Sequence, residues 1–323
     1  MGTSINSAAL GALTVLRGVN KDLEKAQEQS SSALRVETAA DDPSYWSMAT
    51  TMRADSSSLS TIGDAMGLGQ SKVDTASTAM DSIVKTLSSI QNILVSAQEA
   101  GADRTALNQT LQQLKGTLQT TSQSASVAGE NWLYNSDQQP DLTKSVISGF
   151  ARGTGGQVYL QSVNYDGSQA LMIDTADPSR GLLTKNIDAN TIQSDGTSTP
   201  RNYYLLPVGT GSAQTAGTEI SLSSTTTTQQ LSDMQDVVAK LLASATSADS
   251  TMGVMQSRLD QQSTFISDLT DSLKTTIGSL VDTNQEEISA RITALTTAQQ
   301  MGVQSLSIAN TMASKVLILL QAN

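Results

Sequence analysis

Few residues in this chain have chemistry to offer, and none stands beside the partner that would use it. Asp41 is adjacent to Asp42, and Asp174 precedes Asp177 by three residues, spacings at which two carboxylates can share a proton or hold a cation. Gly153-Thr154-Gly155-Gly156 is the one glycine-rich patch that could cradle a phosphate. It has Val158 where a dinucleotide fingerprint needs its third glycine, and no Lys-Ser/Thr pair follows as in a P-loop. Asn108-Gln109-Thr110 has the form of a glycosylation acceptor, but the surrounding periodicity places it inside a helix. The chain has no His and no Cys, which excludes imidazole acid–base catalysis, thiol nucleophiles, disulfides and Cys/His zinc sites. No calcium-type Asp/Asn/Gly loop recurs, so the acidic pairs read as helix caps and turns and the glycine patch as a turn. The eleven Met residues fall mostly on apolar seams, where they fill cores. The chemistry left to this chain is packing.

Composition points the same way. The 323 residues suffice for two domains, yet only 3% are aromatic. Compact enzyme cores draw on Phe, Tyr and Trp for buried area, whereas knobs-into-holes packing draws on Leu, Ile, Val and Ala. The net charge of -11 disfavours nucleic acid as a partner and suits a self-repelling subunit at high concentration. No apolar run reaches the length of a membrane span. No basic segment precedes an apolar one as in a cleaved secretory signal, and Asn6 breaks the myristoylation pattern. An extracellular destination would therefore need a route that reads an uncleaved terminus.

The elements that must carry the packing are heptads at both ends. Leu231, Met234, Val238, Leu241, Ala245, Ala248, Met252, Met255, Leu259, Gln262, Ile266, Leu269, Leu273, Thr276 and Leu280 keep a strict 3-4 spacing. A helix over 231–280 is about 75 Å long at 1.5 Å per residue, longer than an ordinary globular domain accommodates. A second seam runs through Ile277, Val281, Asn284, Ile288, Ile292, Leu295, Gln299, Gly302, Leu306, Ala309, Ala313, Val316 and Leu320. Its 4-4 step at Asn284 predicts a stutter that unwinds the coil locally. The chain closes on Val316-Leu317-Ile318-Leu319-Leu320, apolar on every side and in need of a covering partner. At the other end Ala9, Ala12, Leu16, Val19, Leu23, Ala26, Ser30 and Ala33 form a weak seam of small residues over 4–36. Asp42 then reads as an N-cap with Pro43 at the first helical position. A helix follows over 43–99, with Val73, Ala76, Met80, Ile83, Leu87, Ile90, Leu94 and Ala97 on its seam. Asp103 caps a third, carrying Leu107, Leu111, Leu114 and Leu118, and the short connection predicts an antiparallel hairpin.

From about 130 the texture changes. Four of the five prolines and five of the ten aromatics lie in 140–207. Short strand-type runs at 157–160, 170–173, 203–206 and 219–222 are separated by Gly, Asn, Asp and Ser clusters. Helix resumes near Thr228. The expected class is α+β: an elongated α-helical coiled-coil rod from both chain termini with a small β-rich inserted outer domain.

Several stretches resemble bacterial flagellin, the flagellar filament subunit, in its α-proteobacterial form. They are Ser4-Ile5-Asn6, Ser31-Ser32-Ala33-Leu34-Arg35-Val36, Ala39-Ala40-Asp41-Asp42 and Ser44-Tyr45-Trp46-Ser47-Met48-Ala49-Thr50. Further along come Gly129-Glu130-Asn131-Trp132-Leu133, Met252–Leu259 and Gln304–Asn310. The similarity covers about 1–135 and 230–323, not the middle. Ala33 stands where the family usually has Gly, and helix propensity predicts a gain from that change.

The resemblance implies five segments: an inner coiled-coil helix over 1–42, rod helices over 43–138, a variable β-rich outer domain over 139–226, a rod helix over 227–281 and an inner helix over 282–323. It implies a self-assembling structural subunit for swimming motility, with terminal helices that fold on polymerisation. It also implies passage through the flagellar export channel to an extracellular filament. Partners are further copies, other flagellins, the export apparatus and an export chaperone, and hook-junction and cap proteins. No enzyme activity, cofactor or metal is expected. The expected assembly residues are Leu16, Val19, Leu23, Leu34, Arg35, Ile292, Leu295, Leu306, Ile308, Val316 and Leu320. A hook–filament junction protein or adhesin on the same scaffold is the alternative. The family's immune-receptor stretch corresponds to Leu87–Val95, where Gln91 and Asn92 replace the receptor-binding Arg and Glu. Weak activation of the Toll-like flagellin receptor follows.

Overall fold

The computed structural model of the chain describes residues 7–152, 158–193, 199–208 and 217–321, and the side chains of 7–8, 150, 152, 158 and 313–321 lie outside that description. So do the Ser4-Ile5-Asn6 stretch and the 153–156 glycine patch. In chain order the elements are α1 (Ser7–Ser32), α2 (Pro43–Ser96), α3 (Arg104–Ser124), β1 (Ser126–Val127), β2 (Glu130–Asn131), β3 (Tyr134–Asn135), β4 (Thr143–Arg152), β5 (Val158–Asp166), β6 (Ile173–Asp174), β7 (Ile187–Asp188), β8 (Asn202–Tyr204), β9 (Thr218–Glu219), α4 (Thr228–Val281) and α5 (Gln285–Gln321). They form two compact units. One combines Met1–Ser58 with Leu269–Asn323, and the other is Leu59–Asp268. The fold is α+β and mostly helical, with the strands confined to the middle of the chain.

Helix ends follow their local chemistry. The Asp42 carboxylate accepts the amides of Ser44 and Tyr45 at 3.0 and 3.1 Å, and Pro43 opens α2. Asp103 accepts those of Thr105 and Ala106, both at 3.1 Å, to start α3. The acidic pairs thus serve as caps and turns. Asn131 closes α3: its amide nitrogen donates to the Ser122 and Gln123 carbonyls, and its side-chain oxygen accepts from Leu133 and Tyr134. Gly129 supplies a left-handed residue (φ 81°) to the two-residue β1–β2 turn beside Ala128 at φ 52°, the signs a primed hairpin turn requires.

In the 59–268 unit α2 and α4 run antiparallel, tied by Gln70 to Asp260 (2.9 Å), Gln256 to Asp74 (2.6 Å) and Gln235 to the Leu94 carbonyl (2.9 Å). The heptad seam fills the space between. Val73, Met80, Ile83, Leu87, Ile90 and Leu94 meet a core that includes Leu231, Val238, Ala245, Met252 and Leu259, all fully buried. Leu111 and Leu118 of α3 and Trp132, Leu133, Val146 and Tyr165 of the insert join the same core. Each Leu so enclosed stabilises the unit by about 1.5–3 kcal/mol relative to exposure.

The insert is held by buried ions and one close approach. Asp174, fully buried, takes the Arg180 guanidinium at 2.7 Å, the Asn135 amide at 3.0 Å and the backbone amides of Ala176 and Asp177. Burial works to raise its pKa, but Arg180 and the converging amides outweigh it and hold the carboxyl below its ordinary value. Buried Lys115 of α3 reaches Glu219 of β9 at 2.6 Å, and Arg201 lies 3.1 Å from buried Asp233 of α4. Gly69 of α2 sits directly under Val146 of β4, where a Cβ would fall 2.1 Å from a Val146 methyl.

The strand pattern differs from the sequence reading. The longest strand, β4, lies at 143–152, where no strand-type run is assigned above, and it pairs antiparallel with β5. Its alternation is interrupted by a bulge between Ile147 and Gly149, which hides the period of two. Of the 170–173 run only Ile173 is in a strand, β6, where it pairs with Tyr134 of the parallel β3. The stutter at Asn284 is sharper than expected: α4 ends at Val281, and Asn284 caps a new helix by accepting the Glu286 and Glu287 amides.

Candidate assembly interface

Within the unit of 1–58 and 269–323, α1 and α5 pair antiparallel. Gln299 donates to Asn20 at 2.8 Å, and Gln285 donates to the Ser30 carbonyl at 3.3 Å. Small residues set the approach: Leu16 fits against Gly302, where an added Cβ would lie 3.1 Å from a Leu16 methyl. Both seams face inward, but two helices cannot enclose them. Ala26 and Ile288 are buried. Leu16, Val19, Leu23, Ile292, Leu295 and Leu306 remain half-buried. Leu306 also lines an open groove of about 510 Å³ with Val303, Ser307, Asn310 and Thr311. On the far side of α5, Met301, Ile308 and Met312 are 58%, 51% and 64% exposed, spaced to share one face.

The helix breaks of α1 and α4 are stapled to each other. Leu34 and Asp282 form an isolated antiparallel bridge. The Arg35 amide and guanidinium bond the Val281 and Leu280 carbonyls, at 2.6 and 2.7 Å, and the Thr283 amide bonds the Ala33 carbonyl at 2.9 Å. The Arg35 guanidinium also lies 5.4 Å over the Tyr45 ring. Val36, Ala49, Ile277 and Val281 make a small core beneath. Asp41 accepts the Thr38 amide at 3.1 Å and pairs with Lys25 at 3.1 Å. The Thr38 amide first, then Lys25, lowers its pKa.

The Ala33 expectation is overturned here. Ala33 is not helical but follows the last residue of α1 at φ 58°. A left-handed residue at this position terminates the helix, which Gly does without a steric cost and Ala does not. Helix propensity is therefore the wrong scale at this site.

Comparison with known proteins decides the family. The bacterial flagellin N-terminal helical region matches residues 3–138, and the bacterial flagellin C-terminal helical region matches 235–320. Flagellin C of Rhizobium meliloti strain 1021 is 45% identical over 316 residues, spanning 98% of each chain. The chain belongs to the bacterial flagellin family. Flagellin A of Rhizobium meliloti is 31% identical over 97% of this chain and 98% of its own length. The flagellin of Brucella melitensis biotype 1 is 32% identical over 97% of each. The similarity thus runs through the middle region as well as the termini. The chain is a structural subunit of the flagellar filament, and its family is structural and forms that extracellular filament. A junction protein or adhesin is not favoured.

With the family in hand, the expected assembly residues sort into four sets. Leu16, Val19, Leu23, Ile292, Leu295 and Leu306 come together along the α1–α5 seam. Leu34 and Arg35 sit at the stapled break. Ile308 lies on the outer face of α5, apart from the seam. Val316 and Leu320 fall in α5, outside the described side chains. Sequence reasoning missed Met301 and Met312, which continue the Ile308 face. Their seven- and four-residue offsets from Ile308 were the available signal. No helix among the described residues is long and apolar enough to cross a membrane.

Proposed function

We propose that the α1–α5 pair is the principal polymerisation surface and completes its folding only when neighbouring copies cover it. The supporting observation is the half-buried seam together with the uncovered Met301–Ile308–Met312 face. A two-helix coil with that much exposed apolar surface is marginal alone and gains stability from each added neighbour. Leu16, Val19, Leu23, Leu34, Arg35, Ile292, Leu295, Leu306, Ile308, Val316 and Leu320 form this surface.

The layered partition of 1–42, 43–138, 139–226, 227–281 and 282–323 is part of the same reading, with the two terminal segments innermost. So are export through the flagellar channel, escort by an export chaperone, and contacts with hook-junction and cap proteins. The role is structural rather than catalytic: the chain lacks His and Cys, and its buried Asp174 is fully engaged in hydrogen bonds. Gln91 is half-buried and Asn92 exposed on α2, a pair that supports weak activation of the Toll-like flagellin receptor. A strong response of reporter cells to purified monomer would overturn that part.

Negative-stain electron microscopy tests the assembly reading. The full chain should form filaments after seeding, whereas Leu306→Asp and a truncation lacking 301–323 should stay monomeric, because an unpaired charge in a covered seam is costly. Circular dichroism should show the 59–268 unit still folded in both. Normal filaments from either variant would remove the terminal pair as the driver.

A further inference from the structure

We propose that Met301 and Met312 are an oxidation site that controls assembly: peroxide converts their thioethers to sulfoxides in the free subunit and thereby blocks polymerisation. The inference rests on the α1–α5 assembly reading and adds a chemical control to that surface. The chain has no Cys, so its reaction with a peroxide falls chiefly to its eleven Met. Burial divides them sharply. Met66, Met80, Met172, Met234, Met252 and Met255 are at most 4% exposed and belong to the core. Met52 is half-buried against the small core beneath the helix breaks, and Met1 lies outside the described residues. Met48 is 48% exposed, and Met301 and Met312 are more than half exposed. Two of the three most exposed thioethers among the described residues thus sit on the α5 face assigned above to polymerisation.

Their placement makes the change consequential. Met301, Ser305, Ile308 and Met312 follow a 4-3-4 spacing and form one stripe about 16.5 Å long. No charged residue falls between Arg291 and Lys315, so the stripe has no group that responds to pH near neutrality. Oxidation supplies the change in polarity instead. A sulfur lone pair attacks the O–O bond of hydrogen peroxide. One oxygen passes to sulfur as the S=O group, the sulfur gives up two electrons, and the other oxygen leaves as water. The product carries a strong acceptor oxygen, which water satisfies in the free subunit and an apolar contact does not. The free subunit therefore tolerates the sulfoxide, and the polymer does not. Once neighbouring copies cover the face, peroxide no longer reaches it, so the control acts before assembly.

Hydrogen peroxide treatment of the full chain, with peptide mass spectrometry at each Met, tests the site. Met301 and Met312 should form sulfoxide about tenfold faster than the six buried Met, and about tenfold more slowly in filaments than in free subunits. The critical concentration for polymerisation of the oxidised chain should rise about tenfold. Reduction by a methionine sulfoxide reductase should restore it, and with no disulfide to break, a dithiol can drive that enzyme without harm to the fold. A chain carrying Met301→Leu and Met312→Leu keeps the stripe apolar without sulfur and should polymerise equally before and after treatment. Met48→Leu alone should stay sensitive. Normal polymerisation of the oxidised chain, a double variant as sensitive as the parent, or resistance conferred by Met48→Leu would overturn the site. So would equal oxidation of filaments and free subunits, or a loss that enzymatic reduction does not reverse. If the untreated chain forms no polymer, the filament reading falls first and this site with it. Filaments that form normally from the oxidised chain remove this site alone.

Discussion

The α2–α4 seam and the α1–α5 seam are written with the same heptad spacing but are buried to different depths. Between α2 and α4 the apolar positions are closed off, because α3 and the insert add Leu111, Leu118, Trp132 and Leu133 to the same core. Between α1 and α5 Ile288 is buried, but Leu16, Val19, Leu23, Ile292, Leu295 and Leu306 are only half covered. Spacing selects which helix face pairs. The number of neighbours decides how much of that face leaves water, and hence how much stability it returns. A region short of neighbours within its own chain is the one suited to take them from other chains.

Alanine substitution should split the two seams most widely. Leu87→Ala, at a fully buried position, is expected to cost about 2–5 kcal/mol of monomer stability in urea unfolding. Leu16→Ala should cost the monomer much less and show its effect in the polymer. Equal monomer losses would mean the terminal pair is as well packed as the 59–268 unit.

Next in size is the contact that ties the insert to α2. Gly69→Ala should push Val146 off its seat and cost about 1–3 kcal/mol, an overpacking penalty visible in thermal unfolding. A silent Gly69→Ala would show that the β4–β5 hairpin does not share in the cooperative unit.

Ala33→Gly should stabilise the terminal unit by about 0.5–1 kcal/mol, because Gly relieves the left-handed strain at φ 58°. Hydrogen exchange of the Thr283 amide, which bonds the Ala33 carbonyl, would report it as slower opening. Faster exchange would mean that the flexibility Gly adds to the unfolded chain outweighs the strain removed.

The smallest effect is a pH dependence inside the well-packed seam. Asp249 of α4, next to Ser77 and Asp81 of α2, has its pKa raised, first by burial and then by the charge and hydrogen bond of Asp81. A raised folded pKa means this group favours folding below its unfolded pKa and loses that contribution as pH rises through the folded value. Asp249→Asn should therefore stabilise the unit by a few tenths of a kcal/mol at pH 7, with the gain vanishing in acid. Asp174, lowered by Arg180 and the converging amides despite its burial, has the opposite sign and loses stability as pH falls. Melting temperatures of the Asp249→Asn and parent chains across pH 3–7 separate the two, and parallel curves would remove Asp249 as a titrating site.

Much of this was legible in the chain. The caps at Asp42 and Asp103, the restart at Thr228 and the inward seams all follow from side chains acting within one or two turns. The Asn108 sequon lies inside α3 as the periodicity implied, and its side-chain oxygen accepts the Leu222 amide at 2.9 Å. The β4 strand, the Gly69–Val146 seat and the exposed α5 face were not legible, because each depends on a segment distant in sequence or on the absence of one.

The sequence by itself determined the helices, the caps that open α2 and α3 and the face each turns inward, since periodicity and capping are local properties of the chain. Only the tertiary structure decided how completely each face is covered, where α4 and α5 separate, and that Ala33 terminates a helix instead of extending it. Those outcomes depend on which distant segments arrive, such as the Leu34–Asp282 bridge joining two breaks 248 residues apart. A heptad specifies a surface that seeks a partner, and the assembled fold leaves the α1–α5 surface still seeking one.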